Sequence, residues 1–281
     1  MQSEAFWGPT PSPTRSAERR FAGQGDRSHV SCAGLTTRNL TLKRSDGRAA
    51  DEFRPIQFTR GFTPKVPGSV LVVSGETKLL CTVGIQEQVP HWLYGRGGGW
   101  LTAEYSMLPG STRPRKTREG RTGRGGDGRS LEIQRLVGRS LRSALDLSAL
   151  PEVTLWVDCD VLSADGGTRT TAVNGATVAL YDALLYMDAN NSLSRWPLNG
   201  MVSATSVGLV KGKPLVDLDF QEDSSADVDL NVVCSADGRL VEVQGSAERS
   251  PFTPDQLMEM LALAQSSCAK IAELQKEALG I

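Results

Sequence analysis

Residues 153–187 read VTLWVDCDVLSADGGTRTTAVNGATVALYDALLYM, and this stretch decides the fold. The β-branched run up to Leu162 has the composition of a buried strand. The run ends at Gly166-Gly167, after which apolar residues return at Val173, Ala176, Leu180, Leu184 and Met187, the spacing of an amphipathic helix. A strand that turns through glycines into a helix is a building block of a mixed α/β domain. The turn (ADGGTRT, residues 164–170) also carries chemistry. Its glycines let the backbone fold tightly and expose N–H groups, the helix start adds partial positive charge, and Arg169 adds a full one, so the segment suits an anion.

A second segment upstream has the same design. Residues 123–130 (GRGGDGRS) place Arg129 where a helix begins, and residues 131–145 continue with Ile133, Leu136, Val137, Leu141 and Ala144 on one stripe. Gly123 and Gly128 have the spacing of a nucleotide-binding P-loop, but Arg129 stands where that motif requires lysine. A P-loop also follows a buried strand, whereas residues 113–124 (RPRKTREGRTGR) are far too charged to form one. The anion chemistry survives, because a guanidinium can grip two phosphate oxygens at once. Two such loops suggest one shared phosphate site, although either alone would also suit a plain helix cap.

Further elements follow outward. Residues 69–74 and 78–86 flank Gly75-Glu76-Thr77 as a hairpin of buried strands. Residues 201–220 fold back around Lys211-Gly212-Lys213, and residues 228–243 around Asp237-Gly238. Asp217 and Asp219 alternate with Leu218 and Phe220, predicting a strand with one wet face. The last helix opens with a capping box, Thr253 to Gln256, and carries Leu257, Leu261, Ala264, Cys268 and Ile271 on one face.

Composition narrows the function classes. The two histidines, His29 and His91, leave little for histidine-based triads or His-rich metal sites, so a metal ion would be a hard one held by carboxylates, magnesium or manganese. Five scattered cysteines without a C-x-x-C pair read as reduced, buried, small apolar side chains in a cytoplasm-like compartment. No apolar run reaches membrane-spanning length. Residues 113–142 hold ten Lys/Arg against three Asp/Glu, a signal for a polyanionic partner such as nucleic acid or for a solvated charged loop. Residues 214–238 hold no Lys or Arg while Asp217, Asp219, Glu222, Asp223, Asp227 and Asp229 cluster there. Such density beside two anion loops is costly unless a cation intervenes, and Asp223 and Asp229 are the favoured magnesium ligands, with a solvated acidic loop as the alternative. Residues 1–42 lack apolar periodicity and are expected to be disordered, with the acid-poor composition of a transit peptide or of sequence upstream of the true start.

The ordered motifs GWLTAEYSMLPGST (from Gly99), GRSLEIQRLVGRSLR, VDCDVLSADGGTRT, DLDFQED, DLNVV and VEVQGSAE closely resemble ribonuclease PH, from about Lys43 to the C-terminus. The resemblance implies one ribonuclease-PH-type domain, residues 43–281, of mixed β-sheets and helices with βαβ elements. It also implies a homohexameric ring, a trimer of dimers. The implied activity is phosphate-dependent 3′→5′ trimming of tRNA precursors, in which inorganic phosphate attacks the terminal phosphodiester and a nucleoside diphosphate leaves. Arg129 and Gly167-Thr168-Arg169 fall on the family's phosphate-binding positions. Asp223 and Asp229 fall on its magnesium-associated catalytic carboxylates, and Arg115 and Arg118 on two arginines of its tRNA-contacting loop. Gly110 stands where the family usually has arginine, so that one handhold on RNA is either missing or taken over by Arg113; Ser130 and Ser163 replace a common threonine and glutamine. A non-catalytic RNA-binding ring subunit of an exosome-like assembly is the alternative, and polynucleotide phosphorylase, with two such domains and RNA-binding appendages, is set aside on length.

Overall fold

The computed structural model describes residues 44–118 and 128–281. The expectation of disorder over residues 1–42 and the first part of the 123–130 loop lie outside the described residues. Strands β1 (Ile56–Arg60), β2 (Gly68–Ser74) and β3 (Thr77–Gln86) form an antiparallel meander, with Ser74 opposite Thr77 at the expected hairpin turn. Gly75 takes the left-handed φ of +57° that this tight turn needs. β4 (Trp100–Met107) leads through residues 108–127 to α1 (Gly128–Ser143), and β5 (Thr154–Ser163) then enters between β3 and β4. β5 is parallel to β4 and antiparallel to β3. A parallel neighbour requires a crossover, and α1 supplies it, so β4-α1-β5 is a βαβ unit.

Helix α2 (Thr168–Ala189) follows β5 as expected, but it is not amphipathic over its first half. Every residue from Thr170 to Leu180 is buried, because α2 packs on β2 and β3 on one side and on β6 of a second sheet on the other. Gly175 marks the close approach: a Cβ there would lie 2.6 Å from Val72 Cγ1 and 2.8 Å from Cys81 Sγ.

The second sheet has the order β7-β6-β8-β9, with β6 (Val202–Val210), β7 (Lys213–Val216), β8 (Val228–Ser235) and β9 (Leu240–Ala247). β6 is buried on both faces. Val202 and Ala204 join the core around α2, while Val207 and Leu209 join a second core with Met260, Ala264 and Cys268 of α4 (Pro254–Leu279). The capping box of α4 is formed, with Gln256 N–H donating to Thr253 Oγ1 at 3.2 Å and Thr253 N–H to Gln256 Oε1 at 2.8 Å.

The expected strand through residues 217–220 is corrected. β7 ends at Val216, and Asp217 turns the chain with φ +52°. Asp219 then caps a short helix, α3 (Phe220–Ser225), by accepting from Glu222 N–H at 2.8 Å. The alternation of acids and apolar residues reflects a turn and a helix cap, both of which favour Asp. Cys81, Cys159, Cys234 and Cys268 are buried and reduced, as expected; Cys32 lies outside the described residues.

Candidate functional site

The site assembles where β5 ends. Gly166 and Gly167 take φ of +73° and +63°, and Gly167 caps α2. The first bond of the helical ladder runs from Thr171 N–H to Gly167 O at 3.0 Å, so the N–H groups of Thr168, Arg169 and Thr170 precede the ladder at its positive end. Tyr105 of β4 donates to Thr168 Oγ1 at 2.9 Å. Burial pushes the Tyr105 hydroxyl up to about 12, so it stays a neutral donor that fixes the first turn of α2.

Arg129 is the second residue of α1, whose start lies beside that of α2: Arg169 pairs with Glu132 of α1 at 3.5 Å. Both expected anion loops therefore bring an arginine to one place. Arg129, Gly167, Thr168 and Arg169 line a small polar pocket together with Ser206, Leu218, Asp223, Asp229 and Asn231. The free volume of that pocket, about 20 Å³, is room for one water-sized occupant.

Asp223 enters from α3 and Asp229 from the start of β8. Burial raises the pKa of Asp223, opposed by Arg129 and Arg169. Burial and then the Asp223 charge raise that of Asp229, opposed by Arg169, by a hydrogen bond from Asn231 Nδ2 at 3.1 Å, and by Arg129. The two carboxylates thus share one field with the two arginines and repel one another.

The rest of the acidic cluster has a different role, and the expectation that its density demands a cation is corrected. Arg44 clamps Glu222 at 2.8 and 2.7 Å, and Arg54 clamps Asp217 at 2.8 and 2.6 Å, with Arg48 3.3 Å from Asp217. The balancing charges come from outside the stretch, which is why composition within it showed none.

Beyond the pocket opens a cleft of about 780 Å³ whose lining includes Glu76, Met107, Arg113, Lys116, Arg129, Phe220 and Asp223. Phe220, at the start of α3, is 59% exposed there. Arg115 and Arg118 lie in irregular chain and are exposed, outside the lining residues, while Arg113 and Lys116 stand inside them. Gly110, the departure from the family pattern, also lines the cleft.

Among the described residues, no three His, Cys, Asp or Glu side chains converge as a metal cage. Two carboxylates suit magnesium nonetheless, because it keeps several waters and takes further oxygens from substrate phosphate. The raised pKa values of Asp223 and Asp229, set first by burial and at Asp229 also by the Asp223 charge, mark two buried carboxylates whose charged forms a cation would stabilise. Reading the sequence missed Tyr105, Ser206, Asn231 and the arginines 44, 48 and 54; of these only Tyr105 and Asn231 fall within the quoted family motifs, and those motifs give them no role.

Residues 52–185 match the sequence profile of the 3′ exoribonuclease family, domain 1, and residues 200–267 that of domain 2. Arg129 and Gly167-Thr168-Arg169 lie in the first match, and Asp223 and Asp229 in the second. Among solved structures, the fold resembles an Archaeoglobus fulgidus exosome with RNA bound to the active site, with TM-score 0.71 and 24% identity over 83% of this chain and 92% of that one. An archaeal exosome core gives 0.68 and 25%, covering 83% and 91%. Rice (Oryza sativa) Rrp46 gives 0.68 and 17%, covering 84% and 100%. No helix among the described residues is long and apolar enough to cross a membrane. With both profiles matched in order along one chain, the protein belongs to the 3′ exoribonuclease family of the ribonuclease PH type.

Proposed function

We propose that this chain is a phosphate-dependent 3′→5′ exoribonuclease that trims the 3′ ends of tRNA precursors. Inorganic phosphate attacks the terminal phosphodiester, the P–O3′ bond breaks, the shortened RNA keeps that oxygen and takes up a proton, and a nucleoside diphosphate leaves. The observation that carries this reading is the convergence of Arg129 and Arg169, from two helix starts, with Asp223 and Asp229 on one pocket at the edge of an open cleft. The two arginines and the N-terminal amides of α2 neutralise and orient the incoming phosphate, work that needs positioning and charge and no histidine base. Asp223 and Asp229 would hold a magnesium or manganese ion, which supplies positive charge at the attacked phosphoryl group. Arg113 and Lys116 bind the last nucleotides in the cleft, and Arg115 and Arg118 hold the tRNA body outside it by its phosphates.

The chain works within a ring, as the exosome likenesses suggest, and six copies in a trimer of dimers is the assembly proposed; the compartment proposed is the cytoplasm. A second reading, a non-catalytic RNA-binding ring subunit, draws on the same likenesses. Retention of all four charged groups in one pocket favours the enzyme. Incubating the chain with a tRNA precursor and magnesium, with and without inorganic phosphate, separates the readings. Shortening only with phosphate supports the enzyme, and RNA binding without shortening supports the ring subunit. Asp223→Asn should abolish turnover and leave tRNA binding nearly intact.

A further inference from the structure

We infer that Arg54, Thr77 and Asp217 are positioning residues that aim the amides of Gly166 and Gly167 into the cleft and lock that loop to the helix carrying Asp223. The inference rests on the phosphate-binding reading of the loop. In a trans peptide the carbonyl of one residue and the N–H of the next point in opposite directions, so holding one aims the other. Gly166 O accepts from Thr77 Oγ1 at 2.8 Å and lies 3.5 Å from Arg54 Nη2, and Asp165 O accepts from Arg54 Nη1. Thr77 Oγ1 in turn accepts from Asp165 N–H at 2.9 Å. With both carbonyls held on one side, the N–H groups of Gly166 and Gly167 face the other side, where both glycines line the cleft.

The holding groups stay out of the cleft. Thr77 is 0% exposed, Arg54 5% and Asp217 6%, and none of them lines either cavity of the site. Space is reserved for Arg54: a Cβ on Gly75 would lie 2.6 Å from Arg54 Cδ, and one on Gly167 would lie 3.0 Å from Arg54 Nη2. Asp217 meets Arg54 through both oxygens and also accepts from Arg54 N–H at 2.8 Å. Asp217 O accepts from Arg44 Nη2 at 2.8 Å and from Arg48 Nη1 at 3.0 Å. Arg44 closes the chain of contacts on Glu222, the residue before Asp223. One buried network therefore sets both the anion loop and α3.

The test uses the full chain and two conservative variants. Arg54→Lys keeps the buried charge and loses the planar fork that reaches Asp217, Asp165 O and Gly166 O together. Asp217→Asn keeps the size and tolerance of left-handed backbone but removes the charge. Thermal unfolding, calorimetric binding of inorganic phosphate, affinity for an RNA oligonucleotide without phosphate, and steady-state kcat and phosphate KM are measured for each. The expected result is a cooperative melt in at least one variant, RNA affinity near wild type, and phosphate affinity and phosphate KM worse by roughly tenfold or more, the scale of a misplaced binding group. Unchanged phosphate affinity in a folded variant overturns the inference while leaving the proposed activity intact. Equal loss of phosphate and RNA affinity, or loss of the melting transition in both variants, makes the network purely structural and also overturns it. A wild-type chain that binds phosphate, with binding weakened in the variants, yet degrades no RNA sinks the proposed activity and leaves the positioning role standing. No phosphate binding by the wild type overturns both.

Discussion

At the residue scale the site is a balance of four charges. Burial raises the pKa values of Asp223 and Asp229, and Arg129 and Arg169 oppose it without cancelling it. Removing Arg129 takes away a charge-assisted interaction worth about 1.5–3 kcal/mol to the anion. Arg129→Ala should accordingly raise the phosphate KM far more than the RNA KM, read by varying each substrate in turn. A second residue-scale prediction lies off the site. Asp158 on β5 faces Glu104 on the neighbouring parallel strand, and burial, then Glu104 and Asp160, raise its pKa. A carboxylate with a raised folded pKa binds its proton in the fold before it does in the unfolded chain. Its charge therefore costs stability at neutral pH, and the cost fades as pH falls through the folded pKa towards the ordinary carboxylate range. Asp158→Asn should raise the melting midpoint at pH 7, with the gain shrinking on acidification; a gain that is constant with pH would rule out the titration argument. The glycine turn and the arginines at the two helix starts were legible in sequence because the signal, glycines followed at once by an arginine and an apolar-periodic run, is contiguous. The bond between Arg54 and Asp217 joins residues 163 apart in the chain, and no local pattern encodes it.

At the element scale, what was legible depended on which faces are buried. The β2–β3 hairpin was legible from the β-branched content of two buried strands around a glycine turn, and α1 from the single apolar stripe it presents. α2 lies between two sheets, and Thr170, Thr171, Ala172, Gly175, Thr177 and Ala179 are core that an amphipathic reading leaves out. That packing makes Gly175→Ala informative: the added methyl would press on Val72 and Cys81, and overpacking of this kind costs about 1–3 kcal/mol. Chemical denaturation should show the loss as a lower midpoint with unchanged slope. In α4, Thr253→Ala removes the N-cap at a cost of about 1 kcal/mol. Its turnover on RNA should match wild type, since α4 contributes nothing to the site's lining. The segment at 217–220 was misread because capping and turn chemistry use the same Asp residues that sit at strand edges.

At the scale of the whole molecule, two sheets with helices between and outside them hold the two halves of the site, one in each matched family domain. On the proposed function, the exposed Arg115 and Arg118 set the outer reach of RNA binding. Replacing Arg115 and Arg118 together should reduce the slope of log affinity against log salt by roughly 1.5 to 2 units, since each phosphate contact releases counterions. A short single-stranded oligonucleotide should lose much less turnover than a tRNA precursor in the double variant. Equal loss on both would place these arginines in the active site. Equilibrium sedimentation should give the mass of a ring of several chains, and a monomer would remove the ring from the proposal. The central claim, that inorganic phosphate is the nucleophile, has one direct measurement: incubate the chain with unlabelled tRNA precursor, magnesium and radiolabelled inorganic phosphate, then separate the released nucleotides. Phosphorolysis predicts nucleoside diphosphates carrying the label in the β-phosphate, in step with shortening of the RNA; unlabelled nucleoside monophosphates released at the same rate without phosphate would contradict it.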